Sequence, residues 1–322
     1  MQRIKLGKSD LEVPVICLGG NVFGWTMTEA DSFRQLDAAL EAGLNFIDTA
    51  DVYSRWAPGH QGGESETILG KWLAKGNKRS NVTLATKVGI EMGEGKKGLA
   101  PAYIEQAVED SLRRLQTDYI DLYQAHKDDE HTPLEETLGA FDKLVRQGKV
   151  RHIGASNYSG ARLAQALHVS KENGLVSYIS LQPQYNLVAR EDFETDLLPV
   201  VQKHTLGVIP YYSLAAGFLT GKYRSKEDAN GKARGGTVGK YLNDWGWSVL
   251  RALDEVASEH QSTPARVALA WLMVQPGVTA PIASATSDQH LTDLIEATRL
   301  KLDHASIQKL TSVSTPAVAA KA

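Results

Sequence analysis

Tyr119-Ile120-Asp121-Leu122-Tyr123, then a helix-spaced segment over 133–146, then Val150-Arg151-His152-Ile153-Gly154 is the stretch that decides the fold. The two flanking runs are short and apolar, and they read as strands. Between them Thr132 is a cap candidate and Pro133 takes a first-turn position, so the segment reads as a helix. Strand, helix and strand in that order make a parallel crossover unit.

Working outward, the same alternation recurs in both directions. Further strands are expected at Val13–Leu18, Leu44–Ile47, Val82–Thr86, Tyr178–Leu181, Leu206–Ile209 and Thr279–Ile282. Helices are expected over 29–42 behind Thr28, over 64–74, and over 101–115 with Pro101 at its start. The remaining gaps hold helical spacing over 159–172, 192–203, 264–274 and 288–297. Eight strands with no turn-rich linker predict an α/β fold, a single parallel (β/α)₈ TIM barrel occupying 1–322 as one domain. A doubly wound open sheet is the alternative, disfavoured by the count and by a missing dinucleotide fingerprint. Residues 2–13 are expected to form an N-terminal hairpin, with Lys8-Ser9-Asp10 as turn, capping one barrel end. Residues 223–246 form a long loop in the seventh βα unit, expected to lie over one mouth. The alanine-rich tail, Pro316 to Ala322, is expected to fray.

Composition narrows the class. A formal charge of -3, with 42% hydrophobic and 23% charged residues, describes a globular chain with no pull toward nucleic acid or an anionic membrane. One cysteine, Cys17, rules out an internal disulfide and a multi-thiolate metal site. No secretory run and no membrane-length apolar stretch occurs, so a cytoplasmic enzyme is expected. Gly93-Glu94-Gly95-Lys96-Lys97-Gly98 matches G-x-G-x-x-G only formally. It neither leaves a strand tightly nor opens a helix, and it reads as a solvated turn. The segment Gly217 to Tyr223 is one spacer short of a phosphate loop. The cluster His126, Asp128, Asp129, Glu130 and His131 reads as a solvated loop rather than a metal site.

The residues just past the strands carry the functional signal, because strand C-termini of a barrel converge on one mouth. They supply Asp48 and Tyr53, then Lys87, then His126, from successive strands. A tyrosine ordinarily loses its proton near pH 10. An adjacent ammonium is expected to lower that value and make Tyr53 an acid–base, with Asp48 holding Lys87 charged. Ser156-Asn157, Gln182 and Tyr211-Tyr212-Ser213 follow the later strands.

The sequence resembles the aldo-keto reductases over nearly the whole chain. The resemblance is carried by Asn45-Phe46-Ile47-Asp48-Thr49-Ala50-Asp51-Val52-Tyr53, Ala85-Thr86-Lys87, residues 119–126, residues 148–157 and residues 181–186. It implies an oxidoreductase that interconverts aldehydes or ketones and alcohols by hydride transfer with NAD(P)(H). The implied catalytic tetrad is Asp48, Tyr53, Lys87 and His126, with Tyr53 as proton donor. The resemblance further implies cofactor contacts from Gly20, Asn21, Asp48, Ser156, Asn157, Gln182 and Tyr212. A pyrophosphate wrap of Ser213, Leu214, Ala215, Gly217 and Lys222 is implied too. Relatives that serve as ion-channel auxiliary subunits supply the alternative, a cofactor-binding regulatory subunit with vestigial chemistry. Two departures stand out. Residues 54–63 lengthen one loop, where Trp56 is expected to line the substrate mouth together with Trp25. Trp245 and Trp247 are also expected in loops. The segment Ser284-Ala285-Thr286-Ser287-Asp288-Gln289-His290 lacks the Lys or Arg that relatives use to clamp the 2′-phosphate of NADP(H). Ser284, Ser287 and His290 are the remaining candidates, so NADP(H) is expected with NAD(H) use plausible. The substrate, a small carbonyl compound or alcohol, and the oligomeric state leave no signature in the sequence.

Overall fold

The computed structural model describes residues 1–315, so the expectation of a frayed tail at 316–322 lies outside the described residues. Two short strands, β1 (Arg3–Lys5) and β2 (Glu12–Pro14), pair antiparallel as the expected hairpin. The pairing runs out just past Pro14, where Val15 N–H donates to the Gln2 carbonyl at 3.3 Å. The run read as one strand at Val13–Leu18 is therefore two, and the barrel begins at β3 (Cys17–Gly19).

Eight parallel strands follow. They are β3, β4 (Phe46–Asp48), β5 (Thr83–Val88), β6 (Ile120–Ala125), β7 (Val150–Ser156), β8 (Tyr178–Gln182), β9 (Gly207–Val208) and β10 (Ile282–Ala283). Their order is β10-β3-β4-β5-β6-β7-β8-β9. The sheet curls toward closure: Thr279 N–H donates to the Val208 carbonyl at 2.8 Å, and Ile282 N–H to the Pro210 carbonyl at 2.9 Å. This is the (β/α)₈ architecture expected.

The helices are α1 (Glu29–Glu41), α2 (Glu64–Ala74), α3 (Pro101–Leu115), α4 (Leu134–Arg146), α5 (Gly160–Glu172) and α6 (Leu198–His204). After them come α7 (Gly235–Val238), α8 (Asp244–Glu259), α9 (Pro264–Met273), α10 (Asp288–Ala297) and α11 (His304–Val313). Thr28 caps α1 by accepting from Asp31 N–H. Thr132 does not cap α4: its hydroxyl donates to Asp129 at 2.7 Å, and Pro133 takes the cap position without a side-chain bond. Three helices were not expected, the short α7 within the long loop, α8 and α11.

The core has two parts. Inside the barrel, Cys17, Phe46, Ala85, Leu122, Ile209 and Ala280 pack against Leu6, Leu11 and Val13 of the hairpin, which plugs the N-terminal end. Outside it, helices and sheet share a larger cluster that includes Trp72, Tyr123, Phe141 and Trp271. Parallel register then fixes the other end. Asp48 stands opposite Ala85, Lys87 opposite Gln124, and Ser156 opposite Gln182, so these side chains reach one level of the barrel. Among the described residues, no helix is long and apolar enough to cross a membrane.

Candidate active site

Lys87 is the centre of the C-terminal mouth. It is fully buried, and an ammonium without water needs every donor paired. Its Nζ donates to Asp48 Oδ2 at 2.6 Å, to the Thr49 carbonyl at 2.8 Å and to the Tyr53 hydroxyl at 2.8 Å. Asp48 is equally buried, and its Oδ1 accepts from Gln124 Nε2 at 3.0 Å and Gln182 Nε2 at 2.9 Å. This ion pair is thus held by side chains of β4, β5, β6 and β8 or the segments that leave them, and by the Thr49 carbonyl.

The electrostatic expectation for Tyr53 needs correction. Burial pushes its phenol well above the usual value, and the Asp48 charge pushes it further. Lys87 touches the oxygen, but its charge is already neutralised by Asp48 at shorter range. Tyr53 therefore holds its proton at neutral pH. A protonated phenol is able to donate, and an ammonium at its oxygen is able to steady the phenolate that donation would leave.

His126 faces Tyr53 with ring centroids 6.0 Å apart. Burial, and then the Lys87 charge, hold its imidazole well below the usual value, so it is neutral at pH 7. Its Nδ1 is buried without a partner. A neutral imidazole beside a phenol can orient a carbonyl oxygen without competing for the proton.

The other expected residues divide by how free they are. Gln182 spends its amide on Asp48 and on Gln124 Oε1 at 3.0 Å, while its own Oε1 accepts nothing from the described protein. Ser156 donates to the Gln182 carbonyl at 2.9 Å, and Asn157 donates to the His126 carbonyl at 2.8 Å. Both lie beside His126 with their polar atoms already engaged. Gly20 N–H is tied to the Asp48 carbonyl at 2.8 Å, and Asn21 Oδ1 accepts from Ser284 at 2.6 Å. Tyr212 is 40% exposed at the mouth, with a left-handed backbone, φ 52°.

Beyond it, Ala215, Ala216 and Gly217 are all left-handed, a conformation that costs alanine energy. The turn lets Lys222 cross it: a Cβ on Gly217 would stand 2.8 Å from Lys222 Nζ. Ser213 and Leu214 leave their backbone N–H groups without a partner among the described residues. Arg234 from the long loop lies over Trp25, 5.6 Å from the ring centroid, with no carboxylate partner among the described residues. Sequence reasoning missed it. Burial lowers the pKa of Lys222, as do Arg234 and Lys232, and burial lowers that of Arg234. Two crowded, unpaired cations beside free N–H groups fit the diphosphate of a dinucleotide.

Trp56 packs edge-on to Trp25 at 5.4 Å and to Tyr53 at 6.0 Å, which sets the two indoles beside Tyr53. Trp245 and Trp247 do not lie in a loop. They occupy the first turn of α8, behind the Asn243 cap, and Trp247 packs on Phe218 at 6.0 Å. The 126–131 cluster is built into structure rather than solvated. Both Asp128 oxygens accept from Arg162 Nε at 3.0 Å, and Asp129 accepts from Leu99 N–H at 2.8 Å and from Thr132.

At the far end of the groove, Ser287 caps α10 by accepting from His290 N–H. Thr286 and His290 Nδ1 pair at 3.0 Å. Asp288 is drawn sideways to α1, accepting from Gln35 Nε2 at 2.7 Å with Arg34 Nε at 3.9 Å. Arg34 thus brings a cation to a segment that has none of its own. Nothing near residue 288 in the sequence signals this.

With that geometry in place, comparison with known proteins is unambiguous. Residues 15–315 match the Aldo/keto reductase family. The chain is 35% identical to the uncharacterized oxidoreductase YrpG of Bacillus subtilis, covering 97% of this chain and 96% of the relative. It is 32% identical to protein tas of Escherichia coli, over 97% of each. A putative voltage-gated potassium channel subunit beta of Schizosaccharomyces pombe is 31% identical, over 91% of this chain and 86% of the relative. The protein belongs to the aldo/keto reductase family and is an oxidoreductase of that class.

Proposed function

We propose that residues 1–322 act as one barrel domain that reduces an aldehyde or ketone to an alcohol, and runs the reverse reaction, with NAD(P)(H). The observation that carries this reading is the triple contact of buried Lys87 with Asp48, the Thr49 carbonyl and Tyr53. A nicotinamide cofactor, when bound, supplies or accepts the hydride. Tyr53 gives its proton to the nascent alkoxide, and Lys87 holds the phenolate that remains. His126 donates to the substrate oxygen and sets its direction. Gln182 Oε1 and the free Asn21 amide are placed to hold a carboxamide, and Tyr212 to cover a planar ring. Lys222, Arg234 and the Ser213–Leu214 N–H groups meet the diphosphate. Trp25 and Trp56 give the substrate an aromatic wall.

The channel-subunit names of some relatives support a second reading, cofactor binding with vestigial turnover. The complete Asp48–Tyr53–Lys87–His126 set favours chemistry. The test is loss of reduced-cofactor absorbance with a panel of aldehydes and ketones. Steady turnover that disappears in Tyr53→Phe supports the reductase. Tight cofactor binding with no turnover on any carbonyl supports the auxiliary reading instead.

A further inference from the structure

A cavity of about 370 Å³ opens at the N-terminal end of the barrel, opposite the site above. Arg3, Asn45, Ser80, Asn81, Asp121 and Arg151 line it. Asp121 is buried, and one carboxylate serves two guanidinium groups: Oδ2 accepts from Arg79 at 2.7 Å and Oδ1 from Arg151 at 3.0 Å. Leu84 N–H takes a further position on Oδ2 at 3.0 Å. Two guanidinium charges thus meet one carboxylate charge, and one positive charge is left over. Arg3 adds another, because its partners are neutral: Asn45 Oδ1 at 3.0 Å and the Glu12 carbonyl at 2.5 Å.

The donors have unspent capacity. Arg79 is fixed, stacked 3.7 Å from the Tyr119 ring centroid. Arg151 uses one nitrogen on Asp121 and keeps its other N–H groups free of the described protein. Ser80 and Asn81 make no side-chain hydrogen bond among the described residues, and Asn81 contributes only its carbonyl, to Asn45. A concave wall with surplus positive charge concentrates anions. A planar guanidinium fork beside hydroxyl and amide donors matches a phosphate better than a single carboxylate. The volume falls in the range of small-molecule sites, roughly 300–1,000 Å³.

We propose that this cavity binds a small phosphate-bearing anion, held by Arg151 and Arg3 with Ser80 and Asn81. Arg3 belongs to the hairpin and Arg151 to β7, so the ligand ties the plug to the barrel wall. Its effect is on retention of the hairpin rather than on the chemistry at the other mouth. This site is independent of the reductase reading.

The test is calorimetric titration with inorganic phosphate and pyrophosphate, with citrate and chloride as controls at constant ionic strength. Thermal unfolding is followed in the same buffers. Saturable pyrophosphate binding is expected, with a raised Tm and an affinity at least tenfold weaker in Arg151→Met and in Arg3→Met. Both arginines are exposed at the surface, so both variants should fold, and turnover should stay at the parent level. Equal affinity in the variants overturns the site. So does a response to citrate or chloride as large as that to pyrophosphate, which marks general screening. Lys222→Met separates the two ends: if it, rather than Arg151→Met, abolishes the binding, the phosphate sits at the upper mouth and the proposal fails.

Discussion

The two ends of this barrel are built from similar parts to opposite effect. At the upper end Asp48, Lys87 and Tyr53 form one coupled set, ringed by atoms without partners, including His126 Nδ1. Ser54, Asn157, Tyr212, Ala215 and Ala216 adopt left-handed backbone there, in the segments that leave the strands. Away from the mouth, left-handed Gln116 and Thr205 are helix C-caps, where that conformation is ordinary. At the lower end Asp121 is also buried and also paired, and its contacts join Arg79 of the turn before β5, Leu84 of β5 and Arg151 of β7. Left-handed strand exits and the buried, partnerless His126 Nδ1, not buried charge alone, separate the upper end from the lower one.

Substituting at Lys87's oxygen partner should break the comparison most sharply. Tyr53→Phe removes one hydroxyl, so fold and cofactor affinity should survive while reduction falls by roughly 10²–10⁴-fold or more. Steady-state turnover with a matched cofactor titration checks this. The direction of the Tyr53 shift also sets a pH dependence. A phenol held above its ordinary value stays protonated through neutrality, so reduction should be flat there and decline only in strong alkali. Oxidation needs the phenolate and should rise toward alkaline pH. A reduction rate that titrates away near pH 7 would contradict a protonated Tyr53 donor.

Lys87→Met comes next, because it acts on both rate and stability. It leaves Asp48 buried against amide donors and a phenol only, and an uncompensated buried charge costs about 3–5 kcal/mol. Denaturant unfolding should show that loss together with collapsed turnover. Asp121→Asn sharpens the contrast from the lower end. It weakens two charged hydrogen bonds, each contributing about 1.5–3 kcal/mol, so stability should fall while kcat/KM is kept. Loss of turnover in that folded variant would show that the ends are not separable.

Most of the barrel was legible because a strand run and a helical stripe recur in strict alternation, and each needs only local pattern. The placement of the upper cluster was legible for the same reason: Asp48, Lys87, Ser156 and Gln182 lie in the last two positions of their strands and His126 just past one, and those ends must meet. What escaped depends on tertiary placement. Helix α8 hides behind a Gly- and Trp-rich entry, although Asn243 is a cap signal and Val249, Leu253 and Val256 keep helical spacing. Helix α11 has Asp303 as cap and Leu310 buried, but it follows the last barrel unit, where the alternation no longer asks for a helix. Arg234 lies in a loop whose path no periodicity encodes. The Tyr53 expectation weighed one neighbouring ammonium and omitted burial, which the sequence does not state and which outweighs it here.

The smallest expected effect concerns cofactor choice, at the far edge of the upper end. The segment from Ser284 to His290 has no Lys or Arg, and two of its hydroxyls are already committed: Ser284 to Asn21, and Ser287 to capping α10. Thr286 and His290 remain, and they pair with each other. Asp288 turns toward Gln35 and Arg34, so its charge is less repulsive than the bare sequence implied. Arg34 is 62% exposed and also bound to Asp31 at 3.1 Å, so it can offer a 2′-phosphate only a shared, screened charge. A preserved bidentate Arg contact would favour NADP(H) far more strongly. We expect kcat/KM for NADPH over NADH to lie within about tenfold of parity, a difference of roughly 1.4 kcal/mol. Arg34→Met should move the ratio further toward NADH, and Asp288→Asn should move it toward NADPH, each by a few-fold on the scale of an exposed ion pair. A parent preference above about a thousandfold, unmoved by either change, would place the phosphate contact on residues outside this segment.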